Sequence, residues 1–245
     1  MKINERQIMI LKALENEVFI SVEMLSKRLY TSPSSIRRDL ANLENHHLIH
    51  RTRGGVTARN PFDKVASFAR RMTQNVQGKH AVAKKASALV QDGMNIMLDS
   101  STTASFLIPY LTKYKEITLF TNNLETALQA ISSGIKTHCS GGRCFNGSPT
   151  LIGSDAERSI RNIHTDILFF SSQSLDARGI ISDSCEEETH LRTLMLEQAD
   201  KKVFLCDKEK TNRLSLYTLT SLDAVDTCVL EQAWPDLHCP CELLY

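Results

Sequence analysis

The sequence has no long hydrophobic run, and its first residues do not have the pattern of a secretory leader. None of its apolar stretches approaches the roughly 18 consecutive residues that a membrane-spanning helix needs. The N-terminal residues also lack the basic region and apolar core that mark a signal peptide. We therefore expect a cytoplasmic protein that does not associate with membranes.

The cysteines do not form the pattern of a disulfide framework or of a metal site. There are seven, an odd number, and they lie scattered between Cys139 and Cys241, which favours reduced thiols. The closest cluster is His238-Cys239-Pro240-Cys241, and no second ligand pair stands at the spacing of a zinc finger. The sequence therefore predicts neither a bound metal nor a cofactor.

Charge is divided unevenly along the chain. Residues 1–60 carry ten Lys or Arg and six Asp or Glu, a balance of +4, whereas residues 61–245 carry 19 and 22, a balance of −3. A length of 245 residues fits two domains of roughly 100–200 residues each. A small basic domain followed by a mildly acidic one indicates that only the first domain meets a polyanion.

The stretch 31–44 has the pattern of a helix made for such a contact. Its apolar residues recur at i, i+4 and i+7 and form one narrow stripe, Ile36, Leu40 and Leu43. Ser32 is a suitable N-cap, and Pro33 fits the first helical position. The opposite face carries donors of the kind that contact base edges and phosphates: Ser34, Ser35, Arg37, Arg38 and Asn42. An ordinary solvated face is the alternative, since exposed charge is the norm.

The flanking residues favour DNA binding. Ser21 precedes a predicted short helix over 22–29, and three residues connect that helix to the next, as in a helix-turn-helix. Residues 47–59 predict a β-hairpin, because Gly54-Gly55 can adopt the positive φ of a tight turn. The hairpin would be a basic wing, since its strands carry Arg51, Arg53 and Arg59.

Three segments of this region form a longer pattern: Arg6-x-x-x-Ile10, Ser32-x-x-Ser35-Ile36-Arg37-Arg38-Asp39-Leu40 and Leu48-Ile49-His50-Arg51-x-Arg53-Gly54-Gly55. Together they resemble the winged helix-turn-helix of the DeoR family of bacterial transcriptional regulators. We assign Ser34, Ser35 and Arg38 to the groove side and Arg37 to a phosphate, although helical phase alone could exchange the two arginines. Asp39 cannot favour DNA directly and is expected to hold an arginine, such as Arg6 or Arg37. Ser35 replaces the family's usual Thr.

The second domain alternates apolar runs with amphipathic segments. Predicted strands cover 94–98, 117–120, 135–139, 167–170 and 203–206. Alternation of strand and helix favours a mostly parallel α/β sheet with helices on both sides. Asn60-Pro61 interrupts regular structure after the wing. The predicted domains are therefore a winged helix-turn-helix over 1–58, a linker over 59–78 and an effector-binding α/β domain over 79–245.

In such a sheet the ligand lies outside the carboxyl ends of the strands. The loop Asp99-Ser100-Ser101-Thr102-Thr103 follows a predicted strand and precedes a helix that we expect to run through Leu111. Its hydroxyl and N–H groups suit a phosphate, yet the same residue types are equally typical of a plain helix cap. Asp99 would repel a phosphate, so it fits better as a partner of sugar hydroxyls or as a structural anchor.

Further residues continue this pattern: Asp99-x-x-Thr102-Thr103, Thr121-Asn122, Gly141-Gly142, Gly153, Asp176-x-x-Gly179-Ile180, Glu188 and Asp207-x-x-Lys210. Their order and spacing resemble the C-terminal domain of DeoR-type regulators, which is similar in fold to ribose-5-phosphate isomerase and binds a phosphorylated sugar or a related metabolite. The resemblance implies an effector site formed by Asp99, Ser100, Ser101, Thr102, Thr103, Asn122, Gly141, Gly142, Asp176, Glu188 and Lys210. Two positions depart from the family, because Ser101 replaces a usual Gly and Arg192 a usual Lys.

Two functions are compatible with these patterns. The first is a transcriptional repressor of a carbohydrate operon, a homo-oligomer that binds double-stranded operator DNA and responds to a phosphorylated sugar. The second is a sugar-phosphate isomerase with an accessory DNA-binding domain, for which Asp99, Asp176, Glu188 and Lys210 would supply acid and base groups. The regulator is favoured over the enzyme, because resemblance to an isomerase fold carries little functional weight.

Overall fold

A computed structural model describes residues 4–14, 17, 19–46, 48–52, 54–58, 68–145 and 148–245. Its internal contacts divide the chain into two compact units, Met1–Gln74 and Asn75–Tyr245, here called the head unit and the body unit. The predicted linker over 59–78 spans this division, and its bounds stay a prediction because residues 59–67 lie outside the described ones.

The head unit is a winged helix-turn-helix, as predicted. Its helices and strands are α1 Glu5–Ala13, β1 Phe19–Ser21, α2 Val22–Arg28, α3 Pro33–Asn45, β2 Ile49–Thr52, β3 Gly55–Ala58 and α4 Phe68–Thr73. The strands form an antiparallel sheet in the order β1-β3-β2. Side-chain caps fix where the two central helices begin, because Ser21 accepts from the N–H of Met24 at 3.1 Å and Ser32 from the N–H of Ser35 at 3.3 Å.

One apolar core holds these elements together. The fully buried residues from α1, α2, α3 and the sheet include Ile10, Ile20, Leu25, Ile36, Leu40, Leu43 and Val56. The predicted stripe of α3 is therefore the inner face of that helix, and its opposite face is directed to solvent.

The body unit has a seven-stranded parallel sheet in the order β15-β14-β12-β9-β4-β5-β6. The strands of this sheet are β4 Asn95–Leu98, β5 Thr118–Thr121, β6 Lys136–Cys139, β9 Thr165–Phe170, β12 Ala199–Cys206, β14 Thr227–Leu230 and β15 Glu242–Leu244. Consecutive residues Ile167 to Phe170 of the central strand are all buried. Because successive side chains point to opposite faces, both faces of the sheet are covered.

Helices and smaller strands complete the body unit. The helices are α5 Val76–Ala86, α6 Thr102–Ser105, α7 Ile108–Leu111, α8 Leu124–Ser132, α9 Ser154–Arg161 and α10 Glu186–Glu197, with short 3-10 turns at Ser87–Leu89, Lys208–Lys210 and Leu222–Ala224. The smaller strands are β7 Arg143–Cys144, β8 Leu151–Ile152, β10 Ser174–Leu175, β11 Ile180–Asp183 and β13 Tyr217–Ser221. Strands β10, β11 and β13 form a separate antiparallel sheet that the sequence did not predict. None of the described helices is long and apolar enough to cross a membrane.

The prediction of one helix from the loop after β4 through Leu111 is wrong. Two short helices occupy this segment, α6 ending at Ser105 and α7 beginning at Ile108. Pro109 has no N–H to donate to the carbonyl of Ser105, so a continuous helix would lose this bond and meet the proline ring. The break lies immediately after the residues predicted to bind an effector.

Candidate DNA interface and effector site

Helix α3 presents a donor-rich face to solvent. Ser34, Arg37, Arg38 and Asn42 are exposed and Ser35 is half-buried. The hydroxyl of Ser35 lies 3.0 Å from that of the capping Ser32, so it also helps to define the start of the helix. Both arginines are on the solvent side, and their assignment to base or phosphate stays a prediction.

Asp39 is the polar anchor of this helix. It is buried, and its carboxylate accepts hydrogen bonds from Arg6 and, at 3.5 Å, from the amide of Gln7 on α1. The arginine that Asp39 holds is therefore Arg6, one of the two that the sequence analysis considered. This ion pair connects α1 to α3 and leaves Arg37 outward on the exposed face.

The wing lies next to α3 and is joined to it. Arg51 donates its backbone N–H to the carboxylate of Glu44 on α3 at 3.0 Å, and its guanidinium lies 3.6 Å from the same carboxylate. The turn residue Gly54 has the positive φ that the hairpin prediction required, +87°, whereas Gly55 does not have a positive φ and begins β3. Arg53 and Arg59 were also predicted to make the wing basic, and both lie outside the described residues.

Polar residues meet at the carboxyl ends of three central strands of the body unit. Asp99 follows β4, Ser171 follows β9 and Asp207 follows β12. Lys210 reaches into this group, with its ammonium donating to the hydroxyls of Thr103 and Ser171 at 2.6 Å each and lying 3.4 Å from the carboxylate of Asp207. The predicted residues Thr103 and Lys210 are therefore in direct contact.

The carboxylate of Asp207 lies near two lysines, Lys210 and Lys79. Burial opposes its ionised form, but Lys210 and Lys79 outweigh this effect and hold the pKa of the Asp207 carboxyl below its ordinary value. Lys79 is itself buried, although it lies on α5 at the other end of the unit's sequence. This arrangement is a cluster of two lysines and one carboxylate at the rim of the sheet, with hydroxyl groups beside it.

A buried ion-pair network lies behind the cluster. Arg192 of α10 donates from Nε to the carboxylate of Asp99 at 2.8 Å and from Nη1 to that of Asp183 at 3.0 Å. Asp99 also accepts from the N–H of Ser101 at 3.1 Å and from its hydroxyl at 2.5 Å. Asp99 is thus a structural anchor, and it fixes the loop that the sequence analysis proposed for a phosphate.

Several predicted effector residues have structural roles within their own turns. The carboxylate of Asp176 accepts from the N–H groups of Arg178 and Ile180 and from the Arg178 guanidinium, all within its own turn between β10 and β11. Gly141 and Gly142 lie in the turn between β6 and β7 with φ of +73° and +108°. Their assignment to the effector site remains a prediction that these contacts do not support.

The remaining predicted residues occupy the strand ends or the neighbouring helix. Ser100, Thr102 and Asn122 are buried, and Asn122 donates to the carbonyl of Leu151 at 3.2 Å. Within the described part of the chain, the side-chain oxygen of Asn122 has no hydrogen-bond partner. Glu188 lies on α10, buried, where its charge contributes to the raised pKa of Arg192.

Alanine variants of Gly141 and Gly142 test whether these glycines are needed for the conformation and packing of their turn. A Cβ on Gly142 would lie 2.6 Å from the backbone carbonyl oxygen of Ile152, whereas a Cβ on Gly141 would meet nothing within 4 Å. We expect Gly141→Ala to cost about 1 kcal/mol of unfolding free energy, from positive φ alone, and Gly142→Ala about 2 kcal/mol, because the contact is added to the strain. Urea unfolding followed by the fluorescence of Trp234, the single tryptophan, measures both. Equal losses in the two variants would contradict the contact.

Ser171, Asp183 and Asp207 were not predicted as effector-site residues from the sequence, although Asp207 belongs to the pattern Asp207-x-x-Lys210. The signal for two of them was present, because Ser171 and Asp207 directly follow strands whose carboxyl ends lie at the ligand edge of a parallel sheet. Asp183 had no such signal, since it ends a strand of the small antiparallel sheet.

The head unit has an exposed recognition helix and a wing, and the body unit has a polar rim at its strand ends. This combination defines a transcriptional regulator with a DNA-binding domain and a sensor domain. Family models agree in both halves: residues 6–62 match the DeoR-like helix-turn-helix domain and residues 74–232 match the DeoR C terminal sensor domain. The chain belongs to the DeoR family of transcriptional regulators, and the predicted membership is confirmed.

Full-length relatives support the same family. The HTH-type transcriptional regulator GolR of Listeria innocua is 32% identical over 93% of this chain and 90% of its own. The L-fucose operon activator of Haemophilus influenzae is 30% identical over 95% and 94%. The HTH-type transcriptional repressor GlcR of Bacillus subtilis is 28% identical over 95% and 92%.

Solved structures similar to the chain include a ribose 5-phosphate isomerase A from Methanocaldococcus jannaschii. The TM-score is 0.43 and the identity 19%, over 56% of this chain and 55% of that one.

Proposed function

We propose that this protein is a repressor of a carbohydrate operon that a phosphorylated sugar releases from its operator. The observation that carries the proposal is the solvent-facing side of α3, where Ser34, Arg37, Arg38 and Asn42 are exposed around a helix whose other side is fully buried. A helix of this kind enters the major groove with side chains that contact base edges and phosphates. The relative named as an L-fucose operon activator supports a carbohydrate operon. The relative GlcR, which is named a repressor, supports repression, whereas the L-fucose relative is named an activator.

The rim cluster of the body unit supplies groups that suit a sugar phosphate. The ammonium of Lys210 can bind a phosphate oxygen, and the hydroxyls of Thr103 and Ser171, now bonded to Lys210, can donate to the same group. Lys79 adds a second positive charge near Asp207. The carboxylate of Asp207 suits sugar hydroxyls better than phosphate, because it would repel an anion.

Regulation requires that the effector distinguishes two states of the protein. A ligand shifts an equilibrium only by the difference between its affinities for the two states. Release from DNA therefore means that the sugar phosphate binds the arrangement with low DNA affinity more tightly. Operators read by helix-turn-helix proteins have paired half-sites, so the regulator is proposed to act as a homo-oligomer.

Two measurements test the proposal together. Selection from a random double-stranded library identifies the DNA that the full-length protein prefers, and gel-shift titration gives its affinity with and without ribose 5-phosphate and related phosphosugars. Loss of DNA binding on addition of one phosphosugar supports the regulator. Failure to enrich any DNA sequence would overturn it.

The isomerase alternative is less favoured by the geometry. Two of its proposed acid and base groups are already engaged, Asp99 by Arg192 and Ser101, and Asp176 by its own turn. The relatives described above are transcriptional regulators. Incubation of the pure protein with ribose 5-phosphate decides between the two, because turnover to the ketose phosphate would establish the enzyme.

Replacing Lys210 separates sensing from DNA binding. We expect Lys210→Ala to leave operator affinity unchanged while the phosphosugar concentration for half release rises at least tenfold, because a charged hydrogen bond contributes about 1.5–3 kcal/mol. Lys208→Ala is the matched control, since Lys208 lies in the same 3-10 turn but is half-exposed and paired with Glu231 at 3.5 Å. A normal response of the Lys210 variant would remove Lys210 from the effector site.

A further inference from the structure

The segment after β14 brings two cysteines together at the edge of the main sheet. Cys239 and Cys241 flank Pro240 just before β15, and both are partly buried against the core of the body unit. The backbone on either side is held in place, because the N–H of His238 donates to the carbonyl of Ala177 at 2.8 Å and that of Glu242 to the carbonyl of Asp226 at 3.1 Å. Neither the DNA interface nor the rim cluster uses this pair.

The two sulfur atoms are already close. The Sγ atoms of Cys239 and Cys241 lie 3.4 Å apart. An S–S bond is about 2.05 Å long, so the sulfurs must approach by about 1.4 Å, which a side-chain rotation and a small local change of the backbone can supply.

The two thiols are not equivalent. Burial, together with a hydrogen bond to Cys239, raises the pKa of Cys241 to about 12. Cys241 therefore holds its proton, which disfavours it as the first nucleophile of the pair. Cys228 of β14 lies beneath them, fully buried, with a pKa raised by burial and by its sulfur neighbours.

We propose that Cys239 and Cys241 are a redox-sensitive modification site, which a peroxide converts into an intrachain disulfide. The Cys239 thiolate attacks one oxygen of hydrogen peroxide, the O–O bond breaks, and a sulfenic acid and hydroxide form. The sulfur of Cys241 then attacks the sulfenic sulfur, the S–S bond forms, and the hydroxyl group leaves as water with the proton of Cys241. In total, two thiols and one peroxide give one disulfide and two waters.

The product is reversible by thiol exchange. A disulfide between residues separated by a single proline closes a small, strained ring, and strained or exposed disulfides are the ones that thiol reductants reduce readily. We do not propose a metal site at Cys239 and Cys241, because among the described residues no group of three or more His, Cys, Asp or Glu is placed to hold an ion. A pair of thiols that forms and loses a disulfide in this way can act as a redox sensor. Disulfides in reducing compartments are usually transient and of this kind.

The test follows the fate of each thiol in the full-length protein. The reduced protein is treated with hydrogen peroxide, unfolded in denaturant and alkylated with N-ethylmaleimide, and its intact mass and peptides are measured. We expect the number of alkylated cysteines to fall from seven to five, with the Cys239–Cys241 peptide lighter by two hydrogens and restored by dithiothreitol. Full alkylation of both residues after other thiols have been oxidised would overturn the proposal, as would a bond from Cys239 to Cys228.

Variants separate the pair from the exposed thiols. Cys139 and Cys144 are the exposed cysteines of the chain, so the Cys139→Ser/Cys144→Ser double variant is the matched control and should still form the disulfide. Cys241→Ser should instead leave the sulfenic acid of Cys239 without its partner, where dimedone traps it. A disulfide that still forms in Cys241→Ser would show that Cys241 is not the resolving thiol and would overturn the assignment.

Discussion

Arg192→Met is expected to destabilise the body unit by about 3–5 kcal/mol, because it leaves two carboxylates buried without their cation. The side chains of Asp99 and Asp183 are 1% and 3% exposed, and Arg192 is the side chain that bridges them. Burial opposes the charged form of Arg192, but the two carboxylates outweigh this and raise its pKa. Native domains are stable by only about 5–15 kcal/mol, so the loss is a large fraction of the total.

Urea unfolding monitored by the fluorescence of Trp234 measures the free energy of unfolding of the body unit. Trp234 is the single tryptophan and packs against the core of the body unit, so its fluorescence reports that unit. Arg158→Ala is the control, because its ion pair with Asp155 is exposed and such pairs contribute about 0–1 kcal/mol. Equal unfolding midpoints for wild type and Arg192→Met would contradict the network.

Arg192→Lys distinguishes charge from geometry. A lysine keeps the positive charge but replaces a rigid fork by a single ammonium, which cannot meet both carboxylates as the Nε and Nη1 atoms of arginine do. We expect a loss between those of the control and of Arg192→Met. As stated above, Arg192 replaces the lysine that is usual in the family. The variant therefore also tests how this chain differs from its family.

Arg38→Ala is expected to weaken operator binding by about 1–3 kcal/mol, roughly 5- to 150-fold in Kd, if Arg38 contacts a base as predicted. The loss should be confined to the preferred sequence and should relax specificity at one base pair. If Arg38 contacts phosphate instead, binding weakens on all sequences alike and the salt dependence of binding falls by about one unit of slope. The two arginines would then exchange their assigned roles.

Gel-shift titrations with the selected operator, a single-base-pair variant of it and unrelated DNA separate these cases. Lys12→Ala is the control, because Lys12 is an exposed basic residue on α1, outside both α3 and the wing. Unchanged affinity of Arg38→Ala on all three DNAs would contradict the assignment of α3 as the recognition helix.

Local sequence signals were sufficient to predict the helix starts, the buried stripe of α3 and the turn of the wing in the head unit. The stripe of α3, the cap at Ser32, the turn at Gly54 and the helix start at Ser21 each depend on residues a few positions apart, and all four are observed. The pairing of Asp39 with Arg6 spans 33 positions, and it was predicted only as one of two choices.

In the body unit, local sequence signals predict the central strands but not the smaller strands or the long-range contacts. Its central strands were predictable because they are apolar runs bounded by turns, whereas β10 has only two residues and β13 is only partly buried. The network around Arg192 joins residues 93 positions apart, and no spacing in the sequence fixes that approach. Asp176 shows the opposite case, since the matching spacing predicts a ligand role for a carboxylate that already accepts hydrogen bonds within its own turn, and that role stays a prediction.

The last strand of the main sheet limits aggregation through the strand next to it. Strand β15 pairs in parallel with β14 through Thr227 to Val229 and covers backbone groups that would otherwise be open at that border. Deleting Glu242–Leu244 would leave the apolar strand Thr227–Leu230 as a template for another polypeptide. We therefore expect shortened versions of the chain to precipitate at concentrations where the intact chain stays dispersed, which light scattering would record.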